Sequence, residues 1–95
     1  MAEYTVFDNG KTIHGAGREV LEAIRAEAAR RNDEIERMTV DQYADALIED
    51  APYFLDDALL QALGSQRFDS KFDQALTYLA QMPTSGVRIL TVRAA

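Results

Sequence analysis

The chain has 95 residues, which is one domain with room for one modest core. Apolar residues make up 47% and charged residues 27%, so wholesale disorder is excluded. A net charge of −6 with no cysteine excludes a basic nucleic-acid footprint, a disulfide framework and thiolate chemistry.

The first ten residues, MAEYTVFDNG, have no basic lead-in and no apolar run, and no stretch approaches the roughly 20 apolar residues of a membrane span. A cytoplasmic protein without a signal peptide is the expectation. Glu3 to Gly15 reads as a β-hairpin, because Asn9-Gly10 is the preferred pair for a type I′ turn. A two-residue loop sets Asp8 opposite Lys11, Phe7 opposite Thr12, Val6 opposite Ile13 and Thr5 opposite His14. Alternation then places Tyr4, Val6 and Ile13 on a face that packs on helices. Thr5, Phe7, Thr12 and His14 fall on a face that stays wet.

After Gly15-Ala16-Gly17, the segment GREVLEAIRAEAARR is rich in helix formers, with Val20, Leu21, Ile24 and Ala28 along one side. Asn32-Asp33 weakens this helix near its end. The pattern leaves open whether the chain breaks there or runs on to Arg37, with Ile35 and Met38 extending the apolar line. Thr39 and Gln42 form a capping box, flanked by Met38 and Tyr43 at the positions of a hydrophobic staple. Tyr43, Ala44, Leu47, Ile48 and Ala51 make the buried stripe of the next helix. Pro52 either stops it or starts its successor. Tyr53 to Leu63 reads as a short helix closed by Gly64, with Phe54, Leu55 and Leu59 among its apolar members. Ser70 and Asp73 suggest a second capping box, ahead of a stripe of Phe72, Ala75, Leu76 and Leu79 that Met82 extends and Pro83 ends. Val87 to Val92 is a strand by composition and completes the sheet. The predicted fold is a single α+β domain over 1–95: a three-stranded antiparallel sheet, from the N-terminal hairpin and the C-terminal strand, packed on one face by three to four helices.

Charge is unevenly spread. From Met38 to Gly64 the chain carries six carboxylates and no Lys or Arg, whereas Ala75 to Ala95 has two arginines and no acids. Asp41, Asp45 and Glu49 recur at helical spacing opposite the apolar stripe, and like charges so placed repel by a few tenths of a kcal/mol per pair. Together with Asp50, Tyr53, Asp56 and Asp57 they are the candidate partner-binding residues. Charge of this kind speeds encounter and sets specificity, while aromatics such as Tyr53 and Phe7 would supply affinity.

Catalytic readings fail on the residues. His14 is the only imidazole, Ser65, Ser70 and Ser85 sit in turn or cap contexts, and no G-x-S-x-G elbow occurs. No His pair or H-E-x-x-H motif suggests a metal, and FDNGKT is explained by the hairpin turn rather than by a calcium loop. The phosphate-loop pattern begun at Gly15-Ala16-Gly17 fails at Val20, where its third glycine would fall. The carboxylate neighbours Glu49/Asp50 and Asp56/Asp57 lie on exposed helices, where the burial that general acid–base work requires is absent. No enzymatic activity, cofactor or metal is expected.

The stretches YTVFDNGKTIHG, REVLEAIR, TVDQYADALI and DQALTYLAQM are laid out as in small accessory proteins of phages, prophages and plasmids, which the chain resembles at the level of pattern. The final GVRILTVR is outside that resemblance. The likeness implies a mobile-element origin. Size, acidity and lack of cysteine are similar to anti-CRISPR proteins, which occupy basic nucleic-acid-binding or docking surfaces of host complexes. The functional expectation is a non-enzymatic inhibitor that binds a protein with a basic surface, without contacting nucleic acid or membrane itself. The alternative is a homodimeric regulator or antitoxin-like adaptor, joined through the edge of Val87–Val92 or an unused apolar face on Tyr53–Leu63.

Overall fold

The computed structural model describes residues 2–94. Strands β1 (Ala2–Asp8) and β2 (Lys11–Ala16) are followed by helices α1 (Gly17–Ala29), α2 (Asp33–Glu36), α3 (Val40–Phe54), α4 (Asp57–Gly64) and α5 (Lys71–Gln81), and strand β3 (Val87–Ala94) closes the chain. The sheet is antiparallel in the order β2-β1-β3, as expected, with the helices on one face.

The hairpin forms as its turn chemistry dictates. Asn9 and Gly10 take φ of 46° and 98°, the left-handed values that a type I′ turn demands. The register follows, with Thr5 opposite His14, Val6 opposite Ile13 and Asp8 opposite Lys11. Against β3, Thr5 lies opposite Thr91 but Val6 lies opposite Ile89, so Leu90 is an extra residue in a bulge. On the open face Arg88 stacks over Phe7, 5.1 Å from the ring centroid, and Thr5 Oγ1 meets His14 Nδ1 at 3.1 Å.

The main core joins Tyr4 and Val6 of the sheet to Val20, Leu21 and Ile24 of α1, Tyr43, Ala44 and Leu47 of α3, and Ala75, Leu76 and Leu79 of α5. A smaller cluster of Ala51, Leu55, Leu63 and Tyr78 fastens α4 beneath the end of α3. Phe68 adds an edge-to-face contact with Tyr78 at 6.3 Å.

The chain does break at Asn32. Its side chain accepts a hydrogen bond from Glu34 N (3.0 Å) and caps the one-turn helix α2, so a local polar contact outcompetes continuation of α1. The Thr39–Gln42 capping box closes at both of its bonds, 3.2 and 3.0 Å. Two expectations need correcting. Helix α3 runs through Pro52 to Phe54, and α4 begins only at Asp57, so Tyr53 belongs to the end of α3 and Tyr53–Leu63 is not one helix. Leu55 and Asp56 are extended between the two helices: Leu55 turns into the smaller core, and Asp56 Oδ1 accepts from Leu59 N at 2.7 Å to cap α4. At α5, Ser70 caps Asp73 N, but the Asp73 carboxylate does not return to the backbone at Ser70. It accepts the Ser70 hydroxyl (3.0 Å) and lies buried against Gly17, leaving no room there for a Cβ. Ala16, at the N-cap of α1, offers no side-chain cap. Asp73 therefore places a negative charge at that helix's positive end from across the core. Burial chiefly, and then the Asp73 charge, push the Tyr4 hydroxyl up to about 12.

Candidate protein-docking surface

Helix α3 exists because its cap, its good helix formers and its apolar stripe agree. Val40, Tyr43, Ala44, Leu47 and Ala51 bury one side, and Asp41, Asp45, Glu49 and Asp50 are left exposed on the rest. Tertiary packing then divides these acids into two groups. Lys71, in the first turn of α5, places Nζ 3.4 Å from Asp41 Oδ1 and 3.3 Å from Asp45 Oδ1. Arg18, in the first turn of α1, reaches Asp41 Oδ2 at 3.9 Å. Phe72 sits beneath both cations, with Arg18 and Lys71 at 5.6 and 5.8 Å from its ring centroid. Desolvation opposes the Lys71 charge, but hydrogen bonds with Asp45 and Asp41 outweigh it and raise the ammonium's pKa. The expected acidic face is thus partly neutralised from within: Asp41 and Asp45 are joined to α1 and α5.

Glu49, Asp50, Asp56 and Asp57 make no ion pair within 4.0 Å among the described residues, and all four are exposed. Glu49 and Asp50 precede Tyr53 at helical spacing, so the three share one side of the last turns of α3. Tyr53 is 84% exposed and Phe54 is 56% exposed, the most exposed large hydrophobic side chains among the described residues. Both are exposed because α3 overruns Pro52, which carries them past the edge of the core before Leu55 turns inward. Carboxylates near the negative end of a helix dipole are electrostatically uncomfortable, and the last turn of α3 holds no basic residue to relieve them. Asp56 and Asp57 sit at the favourable, positive end of α4. The α3–α4 corner therefore combines unneutralised negative charge with two aromatic side chains in water. The remaining aromatic proposed as an anchor, Phe7, is elsewhere, half-buried beneath Arg88 on the open sheet face.

Sequence reasoning names Tyr53 but places Phe54 on the apolar side of a helix that does not form as drawn. The Asp56-Asp57 pair is the signal it misses, since an aspartate followed three residues on by the start of an apolar run is an N-cap signature. A second omission is Asp8. It shares strand parity with Tyr4 and Val6 and so has to face the core, where it is 5% exposed. Desolvation first, and then the nearby Glu27 charge, hold its carboxyl above the usual range.

No cluster of three or more His, Cys, Asp or Glu side chains fit to hold a metal ion occurs among the described residues. Among them, no helix is long and apolar enough to cross a membrane. No protein-family model, curated protein or solved structure matches the chain.

Proposed function

We propose that this chain is a non-enzymatic protein-binding module whose α3–α4 corner docks on a basic surface of a protein partner. The observation that carries the reading is Tyr53, 84% exposed among carboxylates that have no cation of their own among the described residues. A rigid aromatic held out in water costs the monomer apolar hydration, and a partner that covers it recovers that contribution. Lysine or arginine side chains on the partner would relieve Glu49 and Asp50 at the negative end of α3. The partner class that fits is a protein with a nucleic-acid-binding or docking surface, such as a host defence nucleoprotein complex. That is the role of the anti-CRISPR proteins resembled in size and charge, and it accords with a mobile-element accessory origin.

The test is a pull-down from bacterial lysate at low and high salt. Wild type is compared with the fourfold variant Glu49→Gln/Asp50→Asn/Asp56→Asn/Asp57→Asn. Asparagine is as good an N-cap as aspartate, so the substitution at the first residue before α4 keeps that helix capped. Species retained at low salt, released at high salt and lost with the fourfold variant support the reading. Retention unchanged by the variant overturns it.

A homodimeric regulator is the second reading, favoured by one observation. Strand β3 is a sheet edge with Leu90 and Val92 each 54% exposed. A strict monomer in light scattering across a wide concentration range would dismiss it.

A further inference from the structure

We propose that a cleft at the hairpin-turn end of the molecule is a binding site for a primary alkylammonium group, the chemistry of a lysine side chain. The cleft lies between the hairpin turn, α1, Tyr43 of α3 and the loop before β3, and its volume is about 200 Å³. Its apolar wall is built from Ile24, Leu79 and Val87. Its polar groups are the Asp8 carboxylate and the Tyr43 hydroxyl, on residues only 5% and 7% exposed.

Both groups are incompletely satisfied. Asp8 Oδ1 accepts from Asn9 Nδ2 at 3.1 Å, but Asp8 Oδ2 and Tyr43 Oη have no hydrogen-bond partner among the described residues. No fully enclosed side-chain polar atom there lacks a partner. These two oxygens therefore open onto the cleft, on side chains otherwise sealed in the core. Asp73 is the contrasting case: an equally buried carboxylate, it has the Ser70 hydroxyl, Tyr4 and the start of α1 around it. A carboxylate and a hydroxyl left facing a concave space ask for a hydrogen-bond donor, and a charged donor satisfies the carboxylate best.

The dimensions select the ligand. A drug-sized molecule needs roughly 300–1,000 Å³, more than this cleft offers. An ammonium on a short methylene stem fits, with the stem against Ile24, Leu79 and Val87. The neighbouring charges narrow the class further. Glu27 at the rim is already held by Lys11 at 3.0 Å and by Arg30 at 3.5 Å. Arg31 also lines the cleft; it makes no ion pair within 4.0 Å among the described residues, but its charge and that of Lys11 reach the Asp8 carboxylate and favour its ionised form against burial. Arg31 would repel a second positive charge, which disfavours polyamines. Its guanidinium would welcome a carbonyl oxygen of the ligand, as a lysine within a peptide provides. The site is independent of the α3–α4 corner, since Tyr43 and Tyr53 are separated by roughly 15 Å along α3 at about 1.5 Å per residue.

The experiment is an amide chemical-shift titration with Nα-acetyl-lysine methylamide at fixed ionic strength, run against its Nε-acetylated analogue. The expected result is saturable shifts around Asp8, Ala28, Tyr43 and Val87 in the millimolar range, with none from the uncharged analogue. Asp8→Asn should weaken binding about tenfold and Tyr43→Phe about threefold, as loss of a charged and of a neutral hydrogen-bond partner. An asparagine side chain keeps the shape of Asp8 without its buried charge, so that variant folds. Equal shifts from the acetylated probe, no saturation, or undiminished binding by Asp8→Asn would each overturn the site.

Discussion

The two halves of α3 carry the same charge and meet different fates. In the first half, Asp41 and Asp45 stand beside Lys71 and Arg18, with Phe72 beneath the cations. In the second, Glu49 and Asp50 run toward solvent with Tyr53 and Phe54 and no cation within reach among the described residues. The difference comes from what lies alongside. The N-terminal half packs where α5 and α1 begin, and each brings a basic residue in its first turn. The C-terminal half projects beyond them until Leu55 pulls the chain back. An acidic run in a sequence is thus not one surface. Its free part is the part that no neighbouring element neutralises.

Substitutions probe that contrast. The largest effect is expected from Leu47→Ala, which removes packing beneath both halves at once. It should cost about 2–5 kcal/mol in denaturant unfolding, and a smaller loss would mean α3 is less tightly seated than its burial suggests. Tyr53→Ala should leave stability within about 0.5 kcal/mol, because the ring touches little, while costing partner binding about 2 kcal/mol or more by calorimetry. The reverse pattern would make Tyr53 a structural residue.

Asp8→Asn tests the buried side of the N-terminal half, where Tyr43 faces that carboxylate. The folded carboxyl titrates above its unfolded value, so the folded state binds its proton more tightly. The contribution of Asp8 to stability is therefore greatest at acid pH. It declines as pH rises from the unfolded pKa through the raised folded one. The Asn variant should be more stable than wild type at neutral pH, with the advantage shrinking on acidification, read as melting temperature against pH. Glu22 and Glu27 act oppositely. Hydrogen bonds from Arg25 and Lys11 lower their pKa values, so their stabilisation is present above the unfolded carboxylate range and fades as pH falls. The smallest effect is expected from Lys71→Met, which frees Asp45 and leaves Asp41 with Arg18 alone. Exposed ion pairs contribute about 0–1 kcal/mol, so stability should barely move, while the salt dependence of partner binding should steepen as the free acidic surface lengthens.

Local chemistry was legible before any fold was known. Asn9-Gly10 fixed the hairpin register, Thr39 and Gln42 the start of α3, and the composition of Val87–Val92 the third strand, because each depends on contacts within a few residues. The break at Asn32 was visible but undecided, since capping and continuation compete within a narrow energy range. At Pro52 the local rule lost: a proline in the last turn forfeits one hydrogen bond, and the packing of Ala51 and Leu55 on Leu63 and Tyr78 carried the helix onward. Local spacing sets the Glu22–Arg25 and Glu27–Arg30 pairs within α1, and strand parity turns Asp8 inward, but which carboxylates of α3 are free and which are paired was decided by tertiary structure. Lys71 lies far along the chain from Asp41, as Asp73 does from Gly17, and only packing brings their charges within range of one another.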